Sequence, residues 1–410
     1  MRDQAMLDKQ AGAEPVAIGF CENGAGYGGA IISLAAFLEK IPAGFRPHIY
    51  TSIGSEPYQR LARLGSWRHL APVTLVDQAR LRRLAPRLAS VLDNAANLLP
   101  YALRYYQRFR KEGIRLVYLN NDCSCNLAAA VAAKMAGLPL VLHARGFNAD
   151  TRGNRWVLGQ LDHCMAVSHA VRAELLSLGL PPEKCTVVPE GLDLDQFQLR
   201  PPSQAVRSEL GLSGAEPVIT LVGGLIDWKG QDVLLDAAPA ILERYPGARF
   251  LLVGAAYGRD NQFAETIMQR AAAPALRDRV RMLGARQDIP DILSMSSVVL
   301  HASTKPEPFG RTFLEGMAMG RPTIASAEGG PLDVIEDGVD GLLIEPRNPA
   351  VLAAAIMRLL DDPALSAQLG ENGARKARLY SIEHHTGLIV DVLQGILHGA
   401  GGSAREGAAA

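Results

Sequence analysis

Short apolar runs recur along this 410-residue chain, and stretches with apolar residues at helical spacing lie between them. This alternation narrows the fold more than any other feature. Runs at 16–20, 48–53, 116–119, 139–142, 164–167 and 186–188 read as strands of a first half. Runs at 218–222, 250–253, 280–283, 298–300, 323–325 and 341–344 form a second series, with helical patterns such as 31–38 and 233–242 between strands. Strands that alternate with helices pair in parallel, and the helices cover both faces of the sheet. The two series are separated at 199–214, where Pro201 and Pro202 stop a helix from passing through. A single core seldom holds so long a chain. The expected architecture is α/β, two doubly wound domains facing a cleft, spanning residues 14–200 and 201–380. Residues 381–398 are expected to form a helix returning to the first domain, and 399–410 a disordered tail rich in Gly and Ala. Ligands of such sheets bind beyond the carboxyl ends of the strands.

Acidic and basic residues balance at 42 each, which gives no support to a nucleic-acid partner. The five cysteines include no C-x-x-C pair, so neither a zinc site nor a disulfide framework is indicated and a reducing compartment fits better. The polar start MRDQAMLDKQAGAEP lacks the apolar core of a signal peptide. No apolar run reaches the roughly 18 residues that span a bilayer. These features lead us to expect a cytoplasmic protein, soluble or peripheral. One stretch, 80–112, carries Arg80, Arg82, Arg83, Arg87, Arg104, Arg108, Arg110 and Lys111 against only Asp93 and Glu112. It reads either as a solvated helix face or as a surface resting on anionic lipid.

After the first strand, Gly24, Gly26 and Gly29 fit the G-x-G-x-x-G spacing of dinucleotide sites. That fingerprint needs an acidic residue at the tip of the second strand, where this chain has Thr51, Ser52 and Ile53. A tight turn is therefore expected, with the Gly28 and Gly29 amides close to a substrate at a helix start.

The strongest signal is KPEPFGRTFLEGMAMGRP at 305–322. Pro308 keeps Glu307 out of the helical region, Gly310 permits a sharp turn, and a helix can run from about Arg311 to Met319 with Gly320 closing it. Glu307 then lies on the entering loop and Glu315 one turn inside. The free amides around Gly310–Phe313 form an anion site aimed at the same place. Carboxylates accept paired hydrogen bonds from vicinal hydroxyls, so the arrangement suits a ligand with both phosphates and a sugar.

This segment resembles the glutamate–seven–glutamate motif of retaining glycosyltransferase family 4, whose members have the GT-B fold. Further motifs of that family follow in order: VPEGLD with Phe197 at 188–197, GGLIDWKG at 223–230, LVG at 252–254, and AEGGP leading to Gly341. The resemblance implies that Glu315 holds the donor ribose, Glu307 the transferred sugar and Lys229 the diphosphate. It also implies retention of anomeric configuration by same-face attack, without a covalent glycosyl-enzyme and without a metal or other cofactor. Phe309, Gly310, Arg311 and Thr312 would complete the donor site. His143 matches a family histidine near the sugar, and Arg145 is a candidate for an anionic acceptor group. Ser168 is expected to cap a helix. His301, His384 and His385 have no such support.

Three positions depart from the family pattern. Gly224 stands where an arginine is usual, and Arg311 is its candidate replacement at the diphosphate. Asp333 replaces a glutamate, and Glu190 an asparagine. Asp193-Leu-Asp195 spells a metal-binding D-x-D, but reads better as the junction motif. The expected activity is transfer of a hexose-type sugar from a nucleoside-diphosphate sugar to a saccharide or lipid-linked acceptor, in envelope, lipopolysaccharide or exopolysaccharide synthesis. The rivals are a sugar-nucleotide epimerase, an inactive partner protein of the same fold, and the disfavoured dinucleotide oxidoreductase.

Overall fold

The computed structural model describes residues 14–24, 28–72, 94–214, 216–256 and 261–406. They divide into two units: the chain up to Gly191 together with residues from Glu383 onward, and Leu192–Ile382.

The first unit is built on seven strands: β1 (Val16–Glu22), β2 (Phe45–Thr51), β3 (Ser66–His69), β4 (Leu116–Asn121), β5 (Leu140–Ala144), β6 (His163–Ala166) and β7 (Cys185–Val187). They pair in parallel in the order β3-β2-β1-β4-β5-β6-β7. The central strands are buried on both faces, which explains their near-continuous apolar sequence. Ile18, Phe20, Leu116 and Val141 pack with Phe37 of the helix Gly29–Lys40 and with Ile389 and Leu393 of the last helix. That last helix, Ile382–Glu406, is thus part of the core of the first unit.

The second unit has six parallel strands: β8 (Val218–Val222), β9 (Arg249–Val253), β10 (Val280–Gly284), β11 (Val298–His301), β12 (Thr323–Ser326) and β13 (Leu342–Ile344). Their order is β10-β9-β8-β11-β12-β13. Ile219, Phe250 and Leu300 of the sheet pack with Leu234 of the helix Gln231–Arg244 and Ile356 of the helix Pro349–Asp361. In each sheet the strand order reverses beside the first strand, between β1 and β4 and between β8 and β11. These are the topological switch points at which open α/β sheets present ligand sites.

Every run read as a strand is one, with ends shifted by a few residues. The strand missing from the sequence reading is β3, whose sequence SWRH has no apolar run because it is an edge strand pairing only with β2. The helix Pro363–Ala377 was also not foreseen; Asp362 caps it by accepting from the Leu365 amide. The last helix, expected to stop at 398 before a disordered tail, continues to Glu406. Residues 199–214, expected as the linker, hold a short helix, Gln204–Glu209, capped by Ser203 inside the second unit. The chain passes between units at Gly191–Leu192 and again at Ile382–Glu383. Backbone hydrogen bonds from Leu192 N to Tyr380 O and from Ile382 N to Leu192 O, both 2.9 Å, tie these passages together. Among the described residues, no helix is long and apolar enough to cross a membrane.

Phe250 lies fully buried at the centre of the second sheet, in register with Ile219 and Val280. Phe250→Ala is expected to destabilise that unit by about 3–5 kcal/mol. Hydrogen exchange of peptides from 218–253 under increasing urea measures the loss.

Candidate active site

The predicted donor residues converge at the switch point of the second sheet. The loop after β8 carries Lys229, and the loop after β11 carries Glu307. Gly310 takes φ 97°, in the left-handed region, and starts the helix Arg311–Ala318. A Cβ at Gly310 would stand 2.8 Å from Nε2 of His301, so no larger residue fits there without movement. Glu307 is clasped from a third loop, where Gly330 N donates to its carbonyl at 2.8 Å. A Cβ on Gly329 would lie 2.1 Å from that carbonyl, which accounts for the double glycine of AEGGP. Gly320 closes the helix at φ 65°, as its sequence position implied.

Three contacts converge on one oxygen of Glu307. Oε2 accepts from Lys229 Nζ at 2.7 Å and from Ser303 Oγ at 2.9 Å, and it lies 3.3 Å from His301 Nε2. Burial alone would raise this carboxyl; the Lys229 ammonium, with His301, outweighs it and holds Glu307 well below the ordinary carboxylate range. Lys229 Nζ also lies 4.1 Å from the centre of the Trp228 ring. The structure therefore brings Lys229 and Glu307 together and adds His301, which the sequence reading set aside. The legible signal was its place at the carboxyl end of a switch-point strand.

Glu315 is in the opposite condition. It is buried with Arg311 Nε 3.9 Å from its Oε1, and burial, only partly opposed by Arg311, pushes its carboxyl up to about 7. Arg311 is thus turned along its own helix toward Glu315. Gly224, where an arginine was missed, offers its carbonyl to Gln231 Nε2 at 2.9 Å. The Phe309 ring packs against Phe313 and Tyr380, at 5.8 and 6.2 Å between centroids. Its side chain belongs to the core, so a part in the donor site falls to its backbone. Thr312 is half-buried in the first helical turn.

In the first unit the tips of β1, β4 and β5 carry a buried polar network. Glu22 accepts from Gly24 N at 2.8 Å and pairs with Asn120 Nδ2; burial raises its carboxyl despite these bonds. Arg145 donates from Nε to Asn120 Oδ1 at 2.7 Å and from Nη1 to Glu190 Oε2 at 2.5 Å. The side chains of Arg145 and Glu190 are 1% and 6% exposed. The guanidinium is therefore committed inside the protein, and the expectation that Arg145 meets an anionic acceptor is corrected. The same contact explains Glu190: a buried arginine needs a charge where the family's asparagine would offer none.

His143 is fully buried at the end of β5. Burial, then Arg145 and His385, hold its imidazole well below its usual range, so it is neutral. Its Nδ1 meets Tyr118 Oη at 2.6 Å and Arg145 Nη2 at 3.3 Å. Arginine can only donate, and Tyr118, its phenol pushed upward by burial, keeps its proton. Nδ1 is thus the acceptor, and the proton resides on Nε2. Asn121, beside it at the tip of β4, holds φ 86°. Gly28 and Gly29 open the helix Gly29–Lys40, and nothing lies within 4 Å of a Cβ placed on either. Gly26 lies outside the described residues, as do Arg80, Arg82, Arg83, Arg87 and Asp93 of the basic stretch. Ser168 caps its helix, accepting from Val171 N. Asp193 closes its own turn, accepting from Asp195 N at 3.0 Å and Gln196 Nε2 at 2.9 Å. Among the described residues no group of three or more His, Cys, Asp or Glu is placed to hold a metal.

Two measurements test these electrostatics. With its carboxyl raised to about 7, the folded protein holds a proton on Glu315 that the unfolded chain releases near 4.5. Stability should therefore fall as pH rises between those values, by roughly 3 kcal/mol in all. Urea unfolding at pH 5 and pH 8 is expected to show this fall, and Glu315→Gln to lack it. Glu190→Gln strands the Arg145 charge and should cost about 3–5 kcal/mol, whereas Glu190→Leu combined with Arg145→Met should cost less than the single change. Denaturation of the three proteins decides this.

Known proteins bear on the same residues. The model described as "Glycosyl transferases group 1" matches residues 203–376, and that for "Glycosyltransferase Family 4" matches residues 26–196. The D-inositol 3-phosphate glycosyltransferase of Kineococcus radiotolerans is 32% identical over 241 residues, covering 55% of each protein. Spore coat protein SA of Bacillus subtilis is 32% identical over 204 residues, 47% of this chain and 54% of that one. The match thus spans about half the length of the curated relatives. The crystal structure of Anabaena HepE in complex with UDP and glucose superposes with a TM-score of 0.77 at 24% identity, covering 93% of this chain and all of that one. Two family models matched in order, one on each sheet, together with this likeness of fold, place the chain among the group 1 glycosyltransferases of GT-B fold.

Proposed function

We propose that this protein is a retaining, metal-independent hexosyltransferase of the cytoplasm. It would transfer sugar from a nucleoside-diphosphate sugar to a saccharide or lipid-linked acceptor of the cell envelope or an exopolysaccharide. The observation that carries the reading is the pairing of Glu307 with Lys229 beside the start of the Arg311–Ala318 helix. A carboxylate kept ionised can accept from sugar hydroxyls. The ammonium and the positive end of the helix dipole stand ready for the charge that grows on the departing phosphate. Glu315, disfavoured as an anion by its burial, would be favoured again by the hydroxyl donors of a ribose. His143, fully buried and neutral, would serve the site only from behind, by holding Tyr118 and Arg145 at the strand tips. The first donor to try is UDP-glucose, because the Anabaena relative was crystallised with UDP and glucose. A phosphorylated polyol is worth including among acceptors, since the Kineococcus relative is named for inositol 3-phosphate.

The test is nucleoside diphosphate release from a panel of UDP-, GDP- and ADP-sugars. Release should rise well above slow hydrolysis when acceptor is added, and proton NMR of the product should show the donor's anomeric configuration. Glu307→Gln and Lys229→Ala are each expected to lower turnover by at least 10²-fold. Conversion of the donor into a new sugar nucleotide would point to an epimerase, and no release at all to an inactive protein.

The helix Leu99–Lys111 supports a peripheral membrane contact. It exposes Leu99 and Leu103, at 46% and 39%, alongside exposed Arg104, Arg110 and Lys111. Flotation with phosphatidylglycerol vesicles at low salt should carry the protein upward, and the triple change Arg104→Glu, Arg110→Glu, Lys111→Glu should abolish it. Binding that survives the triple change rejects this surface.

A further inference from the structure

His301 ends β11, is almost wholly buried, and neither ring nitrogen makes an aligned hydrogen bond, although the ring already helps to hold Glu307 ionised. Its Nε2 lies 3.3 Å from Glu307 Oε2, a contact too poorly aligned to count as a hydrogen bond. The ring stands edge-on to Phe313 at 5.6 Å, and the left-handed turn at Gly310 leaves just enough room for it. Buried polar atoms without partners are rare in folded proteins, and two on one ring beside a charged group call for a use.

Lys229 supplies that use. It is the cation of Glu307 and, on the reading proposed above, also the cation of the donor diphosphate; the present inference rests on that reading. An ammonium drawn toward phosphate loosens its hold on Oε2 and leaves a buried carboxylate short of compensation. We propose that His301 is a positioning residue that takes up Oε2 of Glu307 when the diphosphate claims Lys229. Ser303, already bonded to Oε2, stays in place. Oε1 receives none of these contacts and would be left for the sugar. Because a carboxylate only accepts, the ring must present Nε2–H.

The test uses the full chain. His301→Phe keeps the ring's shape without a donor, and His301→Gln restores an N–H at similar reach. Both are compared with wild type for nucleoside diphosphate affinity, kcat and KM, after a thermal melt shows that they are folded. The expected result is an unchanged affinity for the diphosphate, a kcat reduced on the order of 10²-fold in the Phe variant, and substantial recovery in the Gln variant. A second measurement needs no variant. In the long-range ¹⁵N–¹H imidazole spectrum of the wild type, adding the diphosphate that it binds should move the His301 Nε2 resonance toward a stronger hydrogen bond. Turnover in the Phe variant equal to wild type, a Gln variant that recovers nothing, or an unmoved resonance would each overturn the inference while leaving the glycosyltransferase reading intact. A wild type that releases no diphosphate from any sugar nucleotide overturns both.

Discussion

A carboxylate that has lost most of its water must find charge elsewhere, and the second unit is arranged around how Glu307 does so. Its partner, Lys229, comes from the loop after β8, while Glu307 comes from the loop after β11. Those strands are neighbours only because the sheet order reverses there. The glycines at 310, 329 and 330 then follow from the need to bring three backbone segments and the His301 ring close around one side chain. Burial and charge act in opposite senses at the two glutamates of the motif. Glu307 has an ammonium in contact and stays ionised; Glu315 has a guanidinium 3.9 Å away and is pushed toward neutrality. One helix turn separates a site fit for an anion's work from one that waits for a ligand to settle its charge.

The first unit repeats the device with a different result. Arg145 and Glu190 satisfy each other, and through Asn120 they reach Glu22. That network fixes the tips of three strands and leaves no charge for a ligand. It also gives His143 its tautomer, since every group at Nδ1 is a donor. A buried network of this sort earns its place by specifying one arrangement more than by adding stability.

Much of this was legible in the sequence because parallel strands are buried on both faces and so appear as bare apolar runs. The edge strand β3 was not, since SWRH has one face to solvent and a single partner. The glutamate motif could be placed on a loop and a helix because Pro308 and Gly310 restrict the backbone by themselves. What a side chain meets across the fold was beyond reach. Nothing near Arg145 in the chain announces Glu190, 45 positions later, and His301 announces no more than its place at the end of a strand. Arg311 is expected to fill the gap at Gly224 because its guanidinium can reach an anion at that helix start. Spacing along its own helix instead directs it to Glu315, four residues on.

The two passages of the chain at Gly191–Leu192 and Ile382–Glu383 lie side by side, so the second unit is an insertion whose ends meet. A ribosome making this protein finishes Leu192–Ile382 as one continuous stretch, which can close its sheet as soon as it emerges. The first unit cannot. Ile389 and Leu393, which fill its core, are made only after that stretch, so its sheet waits with part of one apolar face uncovered while nearly two hundred residues are added. The nascent first unit is therefore the stage of this protein's life most in need of a chaperone, and a chain truncated before Glu383 would remain in that state.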